Sequence, residues 1–284
     1  MSPNQPRLLG LFAHPDDEVL GMGGLIAQYT ADGVYVEWVV TTRGEAGEIS
    51  DPALATPENL GQVREQEMRC AARTLGMANV TFLDYRDSGM AGAPDNLRPD
   101  AYLNSDPDAV TAELVAIIRR VRPHVVLTFE PYGGYGHPDH ITIHKHTHLA
   151  LPAAADPHYR PDLGAPWHTP RLFYPFLRMS SFMILKERMI ARNLPVDFFD
   201  GLEQNRGKGW PEDNYQAAIN VRGAADAKWA AFTCHRTQFG GQSIFRQLPQ
   251  AEIAEVFSVE YFALAYPKPE DGLRLDSLFA GLKL

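Results

Sequence analysis

Two short segments of this chain concentrate groups able to bind a cation and move protons. The first reads Ala13-His14-Pro15-Asp16-Asp17-Glu18, the second Gly133-Gly134-Tyr135-Gly136-His137-Pro138-Asp139-His140. Neutral imidazoles combined with carboxylates suit zinc, with one coordination position left for water. Magnesium and calcium prefer all-oxygen shells, so histidine ligands argue against them. Proline disfavours α geometry in the residue before it, which makes each His-Pro pair an extended step into a helix start. A lone Asp-Asp-Glu there would be read as capping, because carboxylates are favoured at helix N-termini. Two such clusters, each following a strand, point instead to one divalent transition-metal site.

The elements that must position these segments alternate along the first half of the chain. Leu8–Ala13 is an apolar run expected as a buried strand, and Val19, Met22, Ile26 and Tyr29 follow at helical spacing until Gly33. Val34–Thr42 reads as a second strand, rich in β-branched and aromatic residues. Thr56-Pro57 predicts a helix start and Gly76 its end; Val80–Tyr85 is a third strand. Asp106-Pro107 opens a helix bearing Val110, Leu114, Ile117, Ile118 and Val121, and His124–Glu130 is a fourth strand. This βαβαβαβ pattern predicts an α/β, Rossmann-like, mostly parallel sheet with helices on both faces. If the order is 3-2-1-4-5, strands one and four are neighbours, and the crevice at their carboxyl ends is the ligand site. Residues 1–151 are then a catalytic domain. The Pro-rich stretch 152–175 is expected to be a junction that is neither helix nor central strand. Residues 176–284 are expected as a smaller C-terminal α/β domain completing the substrate site, with strands at Tyr215–Val221 and Val256–Ala265 and a helix at Ala224–Cys234.

Composition narrows the function classes. A chain of 284 residues, 45% apolar, can bury a sizeable core. Its net charge of −9 argues against nucleic acid, whose binders neutralise phosphates with basic surfaces. The polar start, Met1–Arg7, and the short apolar run after it do not make a signal peptide, and nothing approaches a membrane span. A cytoplasmic protein without membrane contact is expected. Cys70 and Cys234 form no CxxC pair, which excludes a cysteine zinc site and leaves ordinary semi-buried thiols as the expectation.

The pair AHPDDE and GGYGHPDH resembles the PIG-L/LmbE family of zinc-dependent N-deacetylases. The likeness is greatest to its bacterial branch acting on N-acetylglucosaminyl-inositol in mycothiol biosynthesis. Further matches are GEAGEI at Gly44–Ile49, Arg64, RDSGM at Arg86–Met90 and IIRRVRPHVV at Ile117–Val126. The resemblance implies that His14, Asp17 and His140 bind zinc, with iron(II) acceptable to the same ligands. It implies Asp16 as general base, Tyr135 and His137 serving the oxyanion and leaving group, and Asp139 behind His137, tuning it. It places Arg64, Asp87 and Glu48 where the sugar and its polyol aglycone are held. These roles suit the chemistry, since an acetamide is a poor electrophile and water a poor nucleophile. Either His137 or Asp16 could protonate the leaving amine.

Other candidates are weaker. His144 lies one turn beyond His140 and could share its face, whereas His146 and His148 read as surface residues. Gly21, Gly23 and Gly24 lack the GxGxxG spacing, and no GxSxG is present, which argues against nucleotide binding and serine hydrolysis. The alternatives that remain are deacetylation of N-acetylglucosaminyl-malate in bacillithiol biosynthesis, cleavage of mycothiol S-conjugates, and a noncatalytic sugar-binding protein. A small glycoside is the expected partner; oligomeric state has no signature in the sequence.

Overall fold

Six consecutive buried residues, Arg7–Phe12, form the central strand β1, as burial on both faces of a parallel sheet requires. The computed structural model describes residues 5–205, 207–241 and 243–284; the first four residues of the polar N-terminal segment lie outside them. After β1 come α1 (Gly23–Ala31), β2 (Tyr35–Val40), α2 (Leu60–Thr74), β3 (Asn79–Phe82), α3 (Pro107–Val121), β4 (Val125–Leu127), α4 (Gly133–Gly136) and α5 (Pro138–Ala155). The second half adds β5 (Arg171–Phe176), α6 (Met179–Ile190), α7 (Phe198–Gln204), β6 (Ala217–Asn220), α8 (Ala225–Phe232), α9 (Gln250–Val256) and β7 (Val259–Tyr266).

The described residues form one seven-stranded sheet in the order β3-β2-β1-β4-β5-β7-β6. The first five positions pair in parallel, and β7 runs antiparallel to both β5 and β6. The order reverses between β1 and β4, so the loops leaving these two strands share one crevice. Strand alternation divides the core. Leu8, Phe12 and Trp38 face α1, α2 and the C-terminal helices, whereas Leu9, Leu11 and Val126 face α3 and α5.

Helix starts follow local chemistry. The Asp106 side chain caps α3 by accepting from the Asp108 amide, with Pro107 at the first helical position. The start expected at Thr56-Pro57 is delayed to Leu60, because Asn59 turns its Oδ1 back onto the Thr56 amide. Regular helix likewise begins at Gly23 rather than near Val19, since Asp16 adopts a positive φ of 111° and residues 15–22 coil in turns.

The Pro-rich stretch departs from expectation. Pro152 sits in the last turns of α5, and Pro175 lies within β5, which is an interior strand. The Phe173 carbonyl accepts from the Thr128 amide, so strand alternation turns the Pro175 nitrogen toward the same side, beyond the last β4 pair, Leu127 with Phe173. Its missing N–H therefore costs no ladder bond. Cys70 and Cys234 also depart from expectation, being joined in a disulfide across α2 and the end of α8, with Cα atoms 5.8 Å apart. A separation of 164 positions carries no local signal of that pairing. No helix among the described residues is long and apolar enough to cross a membrane.

The C-terminal half also finishes the first helix. Glu260 of β7 accepts from the Gly24 and Leu25 amides at 2.9 and 2.7 Å, capping α1, while Lys228 of α8 donates to it at 2.8 Å. Glu260→Ala would orphan two amides and leave the largely buried Lys228 ammonium with the Phe257 carbonyl but no counter-charge. It should lower stability by about 3–5 kcal/mol, read as a reduced urea midpoint at unchanged slope; a loss below about 1 kcal/mol would count against this cap.

Candidate active site

The loop after β1 folds back on itself. Asp17 Oδ2 accepts from the amides of Ala13 and His14 at 3.0 and 2.8 Å, which turns Oδ1 toward His140 Nε2, 3.4 Å away. The loop after β4 brings the second half. The His140 ring stacks on Phe129 with centroids 3.8 Å apart, and its Nδ1 lies 3.0 Å from the Gly133 carbonyl. Glycine is required at 133, where φ is +70° and an added Cβ would lie 2.6 Å from that of His140. His137 caps α5, its Nδ1 accepting from the Asp139 amide at 3.2 Å.

These contacts settle where the ring protons sit. His140 must donate from Nδ1 to a carbonyl, so its Nε2 carries a lone pair. His14 Nε2 faces Asp139 Oδ2 at 3.2 Å and Asp87 Oδ1 at 3.4 Å, and so carries a proton. His14 Nδ1 then faces His140 Nε2 at 3.0 Å, with the Asp17 carboxylate beside them. Three acceptors converge, a conflict that a cation resolves, as do protons on His14 and Asp17. A carboxylate or carbonyl behind each ligating imidazole is the usual outer support of a metal site. Buried groups able to hold a metal ion occur in two overlapping sets, His14 with His137 and His140, and His14 with Asp87 and Asp139. Asp17 belongs to neither set, the first holding His137 in its place; in the second the atoms are already engaged with His14 Nε2, which leaves the Nδ1 side, where Asp17 Oδ1 stands 3.4 Å from His140 Nε2, as the better seat.

Electrostatics agree with this assignment. Burial opposes charge on His14, but Asp87, Asp139 and Asp17 outweigh it and raise its pKa well above the ordinary value. Burial pushes Asp17 up to about 7 and raises Asp16 as well, with Arg64 pulling Asp16 the other way. Burial and the neighbouring His14 lower His137 to about 3, leaving it a neutral ring whose proton sits on Nε2. Without metal, a proton on His14 occupies the place a cation would take.

The remaining expected residues divide. Arg64 is buried; it donates to Pro15 O, Gly44 O and Asp16 Oδ2 at 2.7, 2.9 and 3.1 Å. Gly44, at φ +68°, makes room for it, since an added Cβ would fall within 2.0 Å of the guanidinium. Asp87 is buried too, accepting from the Gly89 and Ala46 amides beside His14. Tyr135 is 50% exposed, its ring 5.1 Å from that of His140. Glu48 stands on an exposed loop, where its carbonyl accepts from Gln238. Asp139 differs from expectation. Its carboxylate supports His14 and the Ser88 amide, and only its backbone amide reaches His137, because α5 starts between the two residues. His144 Nδ1 is engaged by the Phe129 carbonyl, and His146 is buried against the Tyr102 hydroxyl rather than lying at the surface.

Sequence reasoning did not find His235 and Thr237. His235 Nε2 meets Glu18 Oε1 at 2.5 Å, and Thr237 bonds Glu67 through its amide and hydroxyl. Their partners lie 217 and 170 positions away, beyond any local pattern.

An imidazole–carboxylate cluster at the switch point of a parallel sheet is the layout of a metal-dependent α/β hydrolase. The chain belongs to the PIG-L family, whose model, described as GlcNAc-PI de-N-acetylase, matches residues 9–151. It is 38% identical to a 1D-myo-inositol 2-acetamido-2-deoxy-alpha-D-glucopyranoside deacetylase of Geodermatophilus obscurus, covering 99% of each chain. A protein of the same description from Rhodococcus opacus is 41% identical over 83% of this chain and 82% of that one. The solved N,N'-diacetylchitobiose deacetylase of Pyrococcus horikoshii shares the fold, with a TM-score of 0.65 at 19% identity, covering 92% of this chain and 84% of that one.

A divalent cation entering this cluster must displace protons from His14 and Asp17. Affinity should therefore rise with pH through about 7, where Asp17 deprotonates, by about tenfold per pH unit for each proton released. Calorimetric titration in buffers of different ionisation enthalpy reads that release; pH-independent binding would contradict the assignment.

Proposed function

We propose that this protein hydrolyses the N-acetyl group of an N-acetylglucosamine conjugate of the N-acetylglucosaminyl-inositol type, within low-molecular-weight thiol biosynthesis. The observation that carries the reading is a spare carboxylate, Asp16, beside converging lone pairs that call for a cation. Identity to inositol-linked deacetylases over nearly the whole chain supports the substrate branch. His14, Asp17 and His140 would hold the metal; two imidazoles and one carboxylate suit zinc, and iron(II) accepts the same set. Bound there, the ion would polarise the acetamide carbonyl and make water a better nucleophile.

The chain's own residues supply the rest. Arg64 holds Asp16 Oδ2, leaving Oδ1 to take the proton of the attacking water. His137 presents a neutral Nε2–H, and with the hydroxyl of the half-exposed residue Tyr135 it offers donors to the developing oxyanion. A ring held neutral is a poor acid, so Asp16 returns its proton to the departing amine. Asp139 keeps the His14 proton on Nε2. Arg64 and Asp87, whose charges are engaged by the loops, shape the sugar pocket, and exposed Glu48 is free to meet hydroxyls of the aglycone. The C-terminal part completes the pocket through residues 207–215, since Gly209 lies close against the Gly134 carbonyl in the loop bearing Tyr135.

Three results would test this reading. Acetate release from an inositol-linked substrate should be abolished by chelation, restored by zinc, and faster than release from the malate-linked analogue; equal low rates would refute the branch. Asp16→Ala should cut turnover by about 10²–10⁴-fold, with metal content and glycoside binding retained. A wild-type protein that binds glycoside yet turns over no acetamide would be a binding protein.

A further inference from the structure

We propose that Glu18 and His235 act as a positioning pair that fixes the backbone of Asp16, so that the C-terminal half sets the geometry of the base. The proposal rests on the reading of Asp16 as general base. Asp16 has a φ of 111°, in a region L-residues rarely adopt. Glu18 Oε2 accepts the Asp16 amide at 3.0 Å, while Glu18 Oε1 meets His235 Nε2 at 2.5 Å. Both side chains are fully buried. A buried carboxylate is costly unless every oxygen is satisfied, and these two oxygens serve one backbone amide and one imidazole.

His235 is itself held by contacts remote from the cluster. Cys234 beside it is bonded to Cys70 of α2. Two residues on, Thr237 donates to Glu67 from its amide and hydroxyl at 2.8 and 2.6 Å, and its carbonyl accepts from the Ser50 amide. The pair is therefore anchored to a rigid segment. Removing it frees the Asp16 peptide to rotate, and the Asp16 carboxylate leaves Arg64, whose bond to it is 3.1 Å. Arg64 keeps its bond to the Gly44 carbonyl, and Asp17 keeps its bonds to the Ala13 and His14 amides, so the sugar pocket and the cation seat change little.

The test uses the full-length metal-loaded protein. Glu18→Ala and His235→Leu should lower kcat about 10–100-fold with KM and bound metal within about twofold of wild type. Glu18→Gln keeps an oxygen for the Asp16 amide and His235→Gln keeps a donor for Glu18, so both should recover to within about fivefold of wild type. A crystal structure of His235→Leu, which retains the carboxylate, should show Asp16 out of the positive-φ region. Unchanged kcat, a kcat loss matched by metal loss, or Asp16 unmoved in that crystal would overturn the proposal. If wild type releases no acetate from any N-acetylglucosaminyl substrate, the deacetylase reading fails, and the φ of Asp16 in the variant still judges the pair.

Discussion

Three lone pairs aimed at one another are the constraint on which the rest of this molecule depends. His140 Nε2 stands 3.0 Å from His14 Nδ1 and 3.4 Å from an Asp17 oxygen. Both rings are turned into acceptors there because their other nitrogens are claimed by Asp139 and by the Gly133 carbonyl. Such an arrangement is unfavourable unless protons or a cation occupy the space between the acceptors. The supporting bonds therefore matter as much as the three converging atoms. Loss of the carboxylate behind His14 would let that ring change tautomer and dissolve the demand for a cation.

Holding such a cluster needs a scaffold that does not yield. The two loops leave adjacent strands, β1 and β4, at the point where the sheet order reverses. Both strands are buried throughout, so the loop origins are fixed by packing on two faces. The C-terminal half contributes differently. It adds β5, β7 and β6 to the same sheet, caps α1 through Glu260, and reaches the acidic loop through His235. The core on the α1 and α2 side runs from Leu8 and Trp38 through Phe232 and Ile253 to Phe262, joining both halves of the chain in one packed layer.

What could be read from sequence and what could not follow from the range of each interaction. The βαβ alternation, the Asp106-Pro107 helix start and both His/Asp segments are local patterns, and the structure places the two segments together. Asp139 was harder. Its neighbour His137 is the obvious partner in sequence, yet α5 begins between them and sends the carboxylate toward His14 instead. Pro175 within β5 was unreadable because a proline is tolerated there only when the adjacent strand has already ended, and β4 is three residues long. The Cys70–Cys234 and Glu18–His235 pairs join positions more than a hundred residues apart, where only the folded chain brings partners together.

The adjacent carboxylates Asp16 and Asp17 show why one residue of the loop takes a positive φ. Two like charges at one point would oppose each other's ionisation, and Asp16 does raise Asp17 in this way, on top of the effect of burial. The fold separates them by direction. Asp17 turns back onto the amides of Ala13 and His14, whereas the Asp16 backbone rotates to φ 111° and delivers its carboxylate to Arg64. Glu18, next in sequence, then accepts the amide that this rotation exposes. Three consecutive acids thus take three different directions, facing His140, the Arg64 guanidinium and the buried His235 imidazole. That division explains an acidic run which helix capping alone would not need, since the regular helix starts only at Gly23 and is capped by Glu260.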